Sequence, residues 1–407
     1  MLTPQLASRP RRNGARVAVA LAGGGPVGAF FELGALQAIA ESIEGLDLND
    51  LSGYVGVSSG SMLAAGLANG LSPLDIGRLI ITNESPEFRA HPGIFLHPAY
   101  REFGRRIAKI PGLALKVLGY YARAPLSRNL AEVLDPLTAA LPNGIFDGSP
   151  LEEFLRNVFS TRGRTNDFRK LKRQLYIVAT DLNTGEAARF GTPGMDHVPI
   201  SRAIQASTAL PGLYPPVEID GQVYADGALL RTMHASLVLD DGADLVFCIN
   251  PLVAYDASRG GRHRPDGELI DRGLAVVLGQ TFRSLIQSRM LVGMAGYGSR
   301  FPEADILLFE PDRDDAQMFF ANVFRYADRR RLVDHAYQRV RADLRRQAAR
   351  LEPVLARHGL RLRRSILQDE HRSFHASLEQ QRRSNSRVLQ DLDRTLKRLQ
   401  RLVSERA

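Results

Sequence analysis

The run Gly56-Val57-Ser58-Ser59-Gly60 carries the clearest chemistry in this 407-residue sequence. It stands between a strand-like run and a small-residue helix-like one, the setting of a nucleophile elbow. The turn is sharp, and a Cβ at either glycine would strike the strand or the helix. Ser58 would then be exposed at a helix N-terminus. A second run, Gly23-Gly24-Gly25-Pro26-Val27-Gly28, also lies between a strand-like and a helix-like stretch. Its spacing suits two chemistries. A dinucleotide turn wants an acidic residue at the end of the next strand, whereas Asp47 and Asp50 precede that strand. An oxyanion hole needs only backbone N–H groups freed by glycine and aimed at a developing alkoxide. The helix start just beyond adds partial positive charge.

A serine nucleophile needs a base. Asp226, in VYADGALL, falls at the end of a strand-like run beside a tight turn. His234 follows eight residues later, which gives the chain order Ser, Asp, His of a hydrolase triad. A Ser–Asp dyad and a triad are both open on this pattern. One cysteine, Cys248, excludes an internal disulfide and a Cys-rich zinc site. No calcium loop or Walker loop is present, so the expected site holds no metal and no cofactor.

These residues need elements to position them. Short apolar runs at RVAVALA from Arg16, LSGYVGV from Leu51, LYIVAT from Leu175, DLVFCIN from Asp244 and DILLFE from Asp305 read as strands. Helix-like spacing follows the first two. Alternating strands and helices predict an α/β sheet with parallel pairs. The length allows two or three units at about 150 residues each. With 44% hydrophobic and 24% charged residues, the composition is that of a folded protein. The N-terminal apolar run leads into the glycine loop, so no signal peptide is expected. No stretch reaches the roughly 18 uninterrupted apolar residues of a spanning helix.

The net charge of +9 is unevenly placed. Residues 326–407 hold 21 Lys/Arg against 10 Asp/Glu, and the rest of the chain is close to neutral. Such asymmetry suits an anionic surface. A recognition-helix or aromatic-platform pattern is lacking, so nucleic acid is not the expected partner. Residues 91–125 mix Ile107, Ile110, Leu113 and Leu115 with Arg105, Arg106, Lys109 and Lys116. That mixture fits an interfacial helix meeting anionic headgroups, or an amphipathic helix packed on the sheet. From Arg329, Leu332, Ala336, Val340, Leu344 and Leu351 recur at helical steps. Leu389, Leu392, Leu396 and Leu399 form a short heptad-like seam, suiting a homo-oligomer or a helix folded back on its own domain.

Taken together, LAGGGPVGAFFELGALQAI, GVSSGS, ATDLNTGE, ASTALPGLYPPV and ADGAL resemble the ordered blocks of the patatin-like phospholipases, serine lipid acyl hydrolases with a Ser–Asp dyad. The resemblance runs from residue 16 to residue 311. It implies a three-layer α/β/α fold with a largely parallel central sheet, preceded by a flexible segment 1–15. Residues 91–125 would be a cationic insertion or lid, and residues 312–407 a basic helical extension. It implies Ser58 as nucleophile, Asp226 as base, and Gly23, Gly24 and Gly25 as oxyanion donors. The implied activity is that of a phospholipase A or lysophospholipase-type esterase, with acyl transfer to another alcohol or a degenerate membrane-binding scaffold as alternatives. One departure stands out, for the family often carries Arg or Lys where this chain has Val27. The expected location is the cytoplasm, peripheral on the inner face of a membrane.

Overall fold

The computed structural model describes residues 1–9, 16–82, 93–108, 110–113, 115, 141–259, 271, 273–321, 326–383, 388 and 395. The strand-like runs become β2 (Val17–Leu21), β3 (Gly53–Val57), β4 (Gln174–Asp181), β8 (Leu245–Ile249) and β9 (Asp305–Phe309). They are joined by β1 (Leu2–Gln5), β5 (Ala187–Phe190), β6 (Val217–Ile219) and β7 (Gln222–Asp226). Hydrogen bonds link them in the order β1-β9-β8-β2-β3-β4-β7-β6, with β5 also paired to β4. The central five strands, β9 through β4 in that order, are parallel. The outer pairings are antiparallel.

Side chains alternate across this sheet with the period of two that a strand imposes. Val17, Val19 and Leu21 enter one apolar cluster, and Ala18 and Ala20 enter the other. Leu245, Phe247 and Ile249 of β8 separate from Val246 and Cys248 in the same way. Both faces are therefore covered, as parallel strands require. Helices α1 (Gly25–Ser42), α2 (Ser59–Ala68), α3 (Ser149–Phe159) and α4 (Ile200–Ser207) contribute to the first cluster. Helix α5 (Leu274–Arg300) and the short helix Ser236–Asp240 supply Met290, Met294, Tyr297 and Val238 to the second. The fold is a three-layer α/β/α arrangement.

Two boundaries differ from expectation. The first residues are not a flexible lead-in, because β1 pairs with β9, Leu2 opposite Phe309. Its Leu2 side chain is buried and ties the N-terminus to the sheet edge. The second concerns the basic tail. Helix α6 (Arg329–Arg346) belongs to the α/β/α unit rather than to an extension beyond residue 311. Its stripe Leu332, Ala336, Val340 and Leu344 is buried in the same cluster as Leu33 and Leu36 of α1. The helices approach so closely that a Cβ on Gly34 would lie 2.4 Å from the Val333 carbonyl oxygen. Arg330, Arg331, Arg339, Arg345 and Arg346 of α6 are exposed, whereas Arg341 is buried and donates to the Ile366 and Asp369 carbonyls.

Part of residues 91–125 is described. Arg106 pairs with Glu102 at 2.9 Å in the helix Tyr100–Ile107, and Arg105 is exposed. Ile107, Ile110 and Leu115 face solvent rather than the sheet. Lys109 and Lys116 lie outside the described residues, as do Leu389, Leu392, Leu396 and Leu399. Among the described residues no helix is long and apolar enough to cross a membrane.

Candidate active site

Adjacent parallel strands deliver the two glycine loops to the same edge of the sheet. β2 ends at Leu21 and β3 at Val57, paired through Leu21 opposite Gly56. Loops at the carboxyl ends of parallel strands are where open α/β sheets build their sites. The elbow forms as its glycines require. A Cβ on Gly56 would sit 2.4 Å from Ser61 Cα, and one on Gly60 would sit 2.6 Å from the Ala22 carbonyl oxygen. Ser58 itself has φ 49°, a left-handed conformation that costs a non-glycine residue about 1–3 kcal/mol. The Ser58 N–H donates to the Ser207 hydroxyl at 2.8 Å, which fixes that conformation from α4.

Strand register brings Asp226 to Ser58. β3 runs along β4 until Val57 stands opposite Val178. β7 approaches from the other direction and ends with Asp226 opposite Ala179, the next residue of β4. β5 pairs with Ile177 through Thr180, so it occupies the opposite flank of β4. β3 and β7 therefore share one flank and meet end to end. Only glycine fits directly past that junction, because a Cβ on Gly227 would lie 2.2 Å from the Val178 carbonyl oxygen. The Thr180 hydroxyl donates to the Asp226 carbonyl at 2.9 Å and pins the strand end.

The Ser58 hydroxyl donates to Asp226 Oδ2 at 2.6 Å. Asp226 Oδ1 accepts from the Ala228 N–H at 2.8 Å. Both side chains are buried, and burial pushes the Asp226 carboxyl up to about 6 against the opposing effect of those two bonds. His234 is not part of this pair. Its ring is buried, its Nε2 has no hydrogen-bond partner, and burial with Arg231 and Arg189 nearby holds it down at about 4. The Asp226 oxygens are already taken by Ser58 and Ala228, and His234 faces a different cleft.

Three glycines meet different surroundings. The Gly23 N–H donates to the Thr232 carbonyl at 3.2 Å, so the donor set expected from Gly23, Gly24 and Gly25 narrows to the last two. Gly23 has a packing role instead, since a Cβ there would be 3.0 Å from Ser58 Cβ. Gly24 caps α1 and Gly25 opens it at φ 60°. Their N–H groups are among those a helix start leaves unbonded. The Ser59 N–H, first in α2, is in the same position beside the nucleophile. Sequence reading passed over Ser59 and Ser207, although ASTALPG marked the segment that carries Ser207.

An apolar cavity of about 380 Å³ opens over the pair. Ser58, Asp226, Gly24 and Gly25 lie along it with Phe30, Met62, Leu155, Phe159, Leu213 and Phe282. Val27 is buried and carries no charge. A cation reaches the cavity from another element: Arg283 of α5 lines it, its guanidinium 4.5 Å above the Phe319 ring. Burial holds Arg283 below the ordinary guanidinium range. Nothing in the sequence pointed to Arg283. Among the described residues no cluster of His, Cys, Asp and Glu could hold a metal ion.

Comparison with known proteins gives this geometry a context. Residues 19–239 match the model of the patatin-like phospholipase family. An uncharacterized NTE family protein of Mycobacterium tuberculosis is 28% identical over 174 residues, 40% of this chain and 45% of that one. A counterpart in Mycobacterium bovis matches equally. The chain thus spans less than half the length of these curated relatives. VipD from Legionella pneumophila superposes with a TM-score of 0.37 at 18% identity, over 80% of this chain and 67% of that one. Human GIVD cytosolic phospholipase A2, solved with methyl gamma-linolenyl fluorophosphonate, gives 0.36 at 12% identity, over 85% and 59%. The family match covers more than half of the chain and takes in the glycine loop, Ser58 and Asp226; this protein belongs to the patatin-like phospholipase family.

Proposed function

We propose that this chain is a lipid acyl hydrolase of the phospholipase A or lysophospholipase type, working through an acyl-enzyme on Ser58. The observation that carries the reading is the 2.6 Å contact between Ser58 and Asp226 on the wall of an apolar cavity. In the first step Asp226 takes the Ser58 proton as Oγ attacks the ester carbonyl. The tetrahedral oxyanion is held by the N–H groups of Gly24 and Gly25, with that of Ser59 beside it. The carbonyl reforms as the alcohol leaves with the proton from Asp226. Water then attacks the acyl-enzyme with Asp226 again as base, and the fatty acid departs as Asp226 returns that proton to Ser58 Oγ.

Burial supports this use of a carboxylate. A base near 6 is closer to a serine hydroxyl than an ordinary carboxylate near 4, and direct contact needs no relay. The apolar lining suits an acyl chain, whose transfer from water is favourable by about 0.8 kcal/mol per methylene. Membrane association at a peripheral site is part of the same proposal. It draws on exposed Arg105 and on solvent-facing Ile107, Ile110 and Leu115.

The test is intact mass after treatment with a fluorophosphonate, on wild type and Ser58→Ala together. A single adduct on wild type that is absent from the variant is expected. No adduct on wild type would overturn the reading, since an activated serine reacts with this reagent.

A further inference from the structure

A second cleft lies farther along α5 from the acyl cavity. Gly279, Phe282, Arg283 and Ile286 of α5 line the acyl cavity, while Ser288, Arg289, Gly296 and Arg300 line the cleft. Its volume is about 1000 Å³. The other walls are Glu186 just before β5, Arg189 within it, and the segment from Leu230 to Leu237 that follows Asp226 in the chain. Buried His234 forms part of the floor and is neutral near pH 7.

The charge in this cleft is unbalanced. Four guanidiniums line it, from Arg189, Arg231, Arg289 and Arg300, against the carboxylates of Glu186 and Asp240. Arg300 and Asp240 neutralise each other through contacts of 2.7 and 2.9 Å. Among the described residues neither Arg189 nor Arg231 is within ion-pair distance of a carboxylate. Arg289 spends only Nη1, on the carbonyls of Leu229 and Leu230 at 3.2 Å each. Three arginines thus face one uncommitted carboxylate, Glu186, in a concave site. Guanidiniums gathered without acidic partners repel one another, and a ligand with several anionic oxygens relieves that repulsion through paired N–H···O bonds.

We propose that this cleft binds a phosphomonoester group, with Arg189, Arg231 and Arg289 as its ligands. A monoester offers three terminal oxygens and close to two negative charges, which matches three guanidiniums offset by one carboxylate better than a single carboxylate would. The group is carried either by a soluble phosphate ester or by a lipid headgroup. Leu291 and Val292 are exposed on the same helix turns, so a lipid bearing the phosphate would find apolar side chains beside it.

The experiment measures binding and needs no turnover, so it stands whether or not Ser58 proves to be a nucleophile. It uses the full chain carrying Ser58→Ala to prevent hydrolysis of the probes. One arm titrates glycerol 3-phosphate by calorimetry. The other co-sediments the protein with phosphatidylcholine vesicles, with and without phosphatidic acid. Arg231→Gln and the double variant Arg189→Gln/Arg231→Gln are compared with Arg173→Gln, which removes a distant exposed guanidinium paired with Asp50. Binding in at least one arm is expected, weakened about tenfold by Arg231→Gln, further by the double variant, and unchanged by Arg173→Gln. Binding of glycerol 3-phosphate identifies a soluble ester as sufficient; binding only to vesicles with phosphatidic acid identifies the headgroup. No binding in either arm, or equal weakening by Arg231→Gln and Arg173→Gln, would overturn the proposal.

Discussion

The Ser207 hydroxyl accepts the backbone N–H of Ser58 at 2.8 Å and itself donates to the Val178 carbonyl. One small side chain on α4 thereby joins the strained residue of the elbow to the central strand β4. Ser207→Ala removes both bonds and leaves the Ser58 N–H buried without a partner. A loss of about 1–3 kcal/mol is expected, with kcat on an ester falling about tenfold. Thermal unfolding and turnover on the same sample check this, and an unchanged kcat would mean that the elbow holds its shape without α4.

Activity should rise with pH through about 6 as Asp226 loses its proton and becomes able to accept one from Ser58. Stability moves the other way. The folded carboxyl sits above its unfolded value, so the folded state holds the proton more tightly. That contribution is fully present below about pH 4 and is lost as pH rises through about 6. Asp226→Asn should therefore abolish turnover yet raise stability at pH 8 by about 2–3 kcal/mol, with little difference left at pH 4. Chemical denaturation at the two pH values decides it.

His234→Ala should leave turnover within a few-fold of wild type, because neither oxygen of Asp226 is bonded to that ring. Steady-state hydrolysis of a soluble ester is the measurement. A loss beyond about a hundredfold in a folded variant would give His234 the part of a general base.

Gly227→Ala tests the end-to-end junction of β3 and β7. The new Cβ would meet the Val178 carbonyl oxygen at 2.2 Å and Val57 Cγ1 at 3.0 Å. Backbone cannot yield there without separating Ser58 from Asp226. A destabilisation above about 3 kcal/mol is expected, together with loss of fluorophosphonate labelling. Gly163→Ala offers a contrast, since a Cβ there meets nothing within 4 Å and its cost comes only from φ 88°.

Much of the frame was legible along the chain because it is written in local periods. Five strands fell within a residue or two of their apolar runs, and the α6 stripe is buried as its spacing required. The glycines at 56 and 60 announced the elbow through the clashes that any Cβ would bring. β1 was missed because Leu-Thr-Pro-Gln is short and contains proline, which is tolerated on an edge strand. The membership of α6 in the main unit was missed because composition registers its arginines while packing depends on the stripe between them.

Local order along the chain thus specifies the elements and the residue types at their ends: Ser58 just past β3, Asp226 closing β7, and glycines past β2. Which of them meet is fixed by packing. Ser58 and Asp226 are 168 residues apart, and their contact exists because β3 and β7 share one flank of β4 at successive registers. The same packing spends the Gly23 N–H on Thr232, turns His234 into another cleft, and brings Arg283 to the cavity. Periodicity is a property of neighbours along the chain. Pairing register and burial are properties of the whole sheet, so they settle the partners of each side chain.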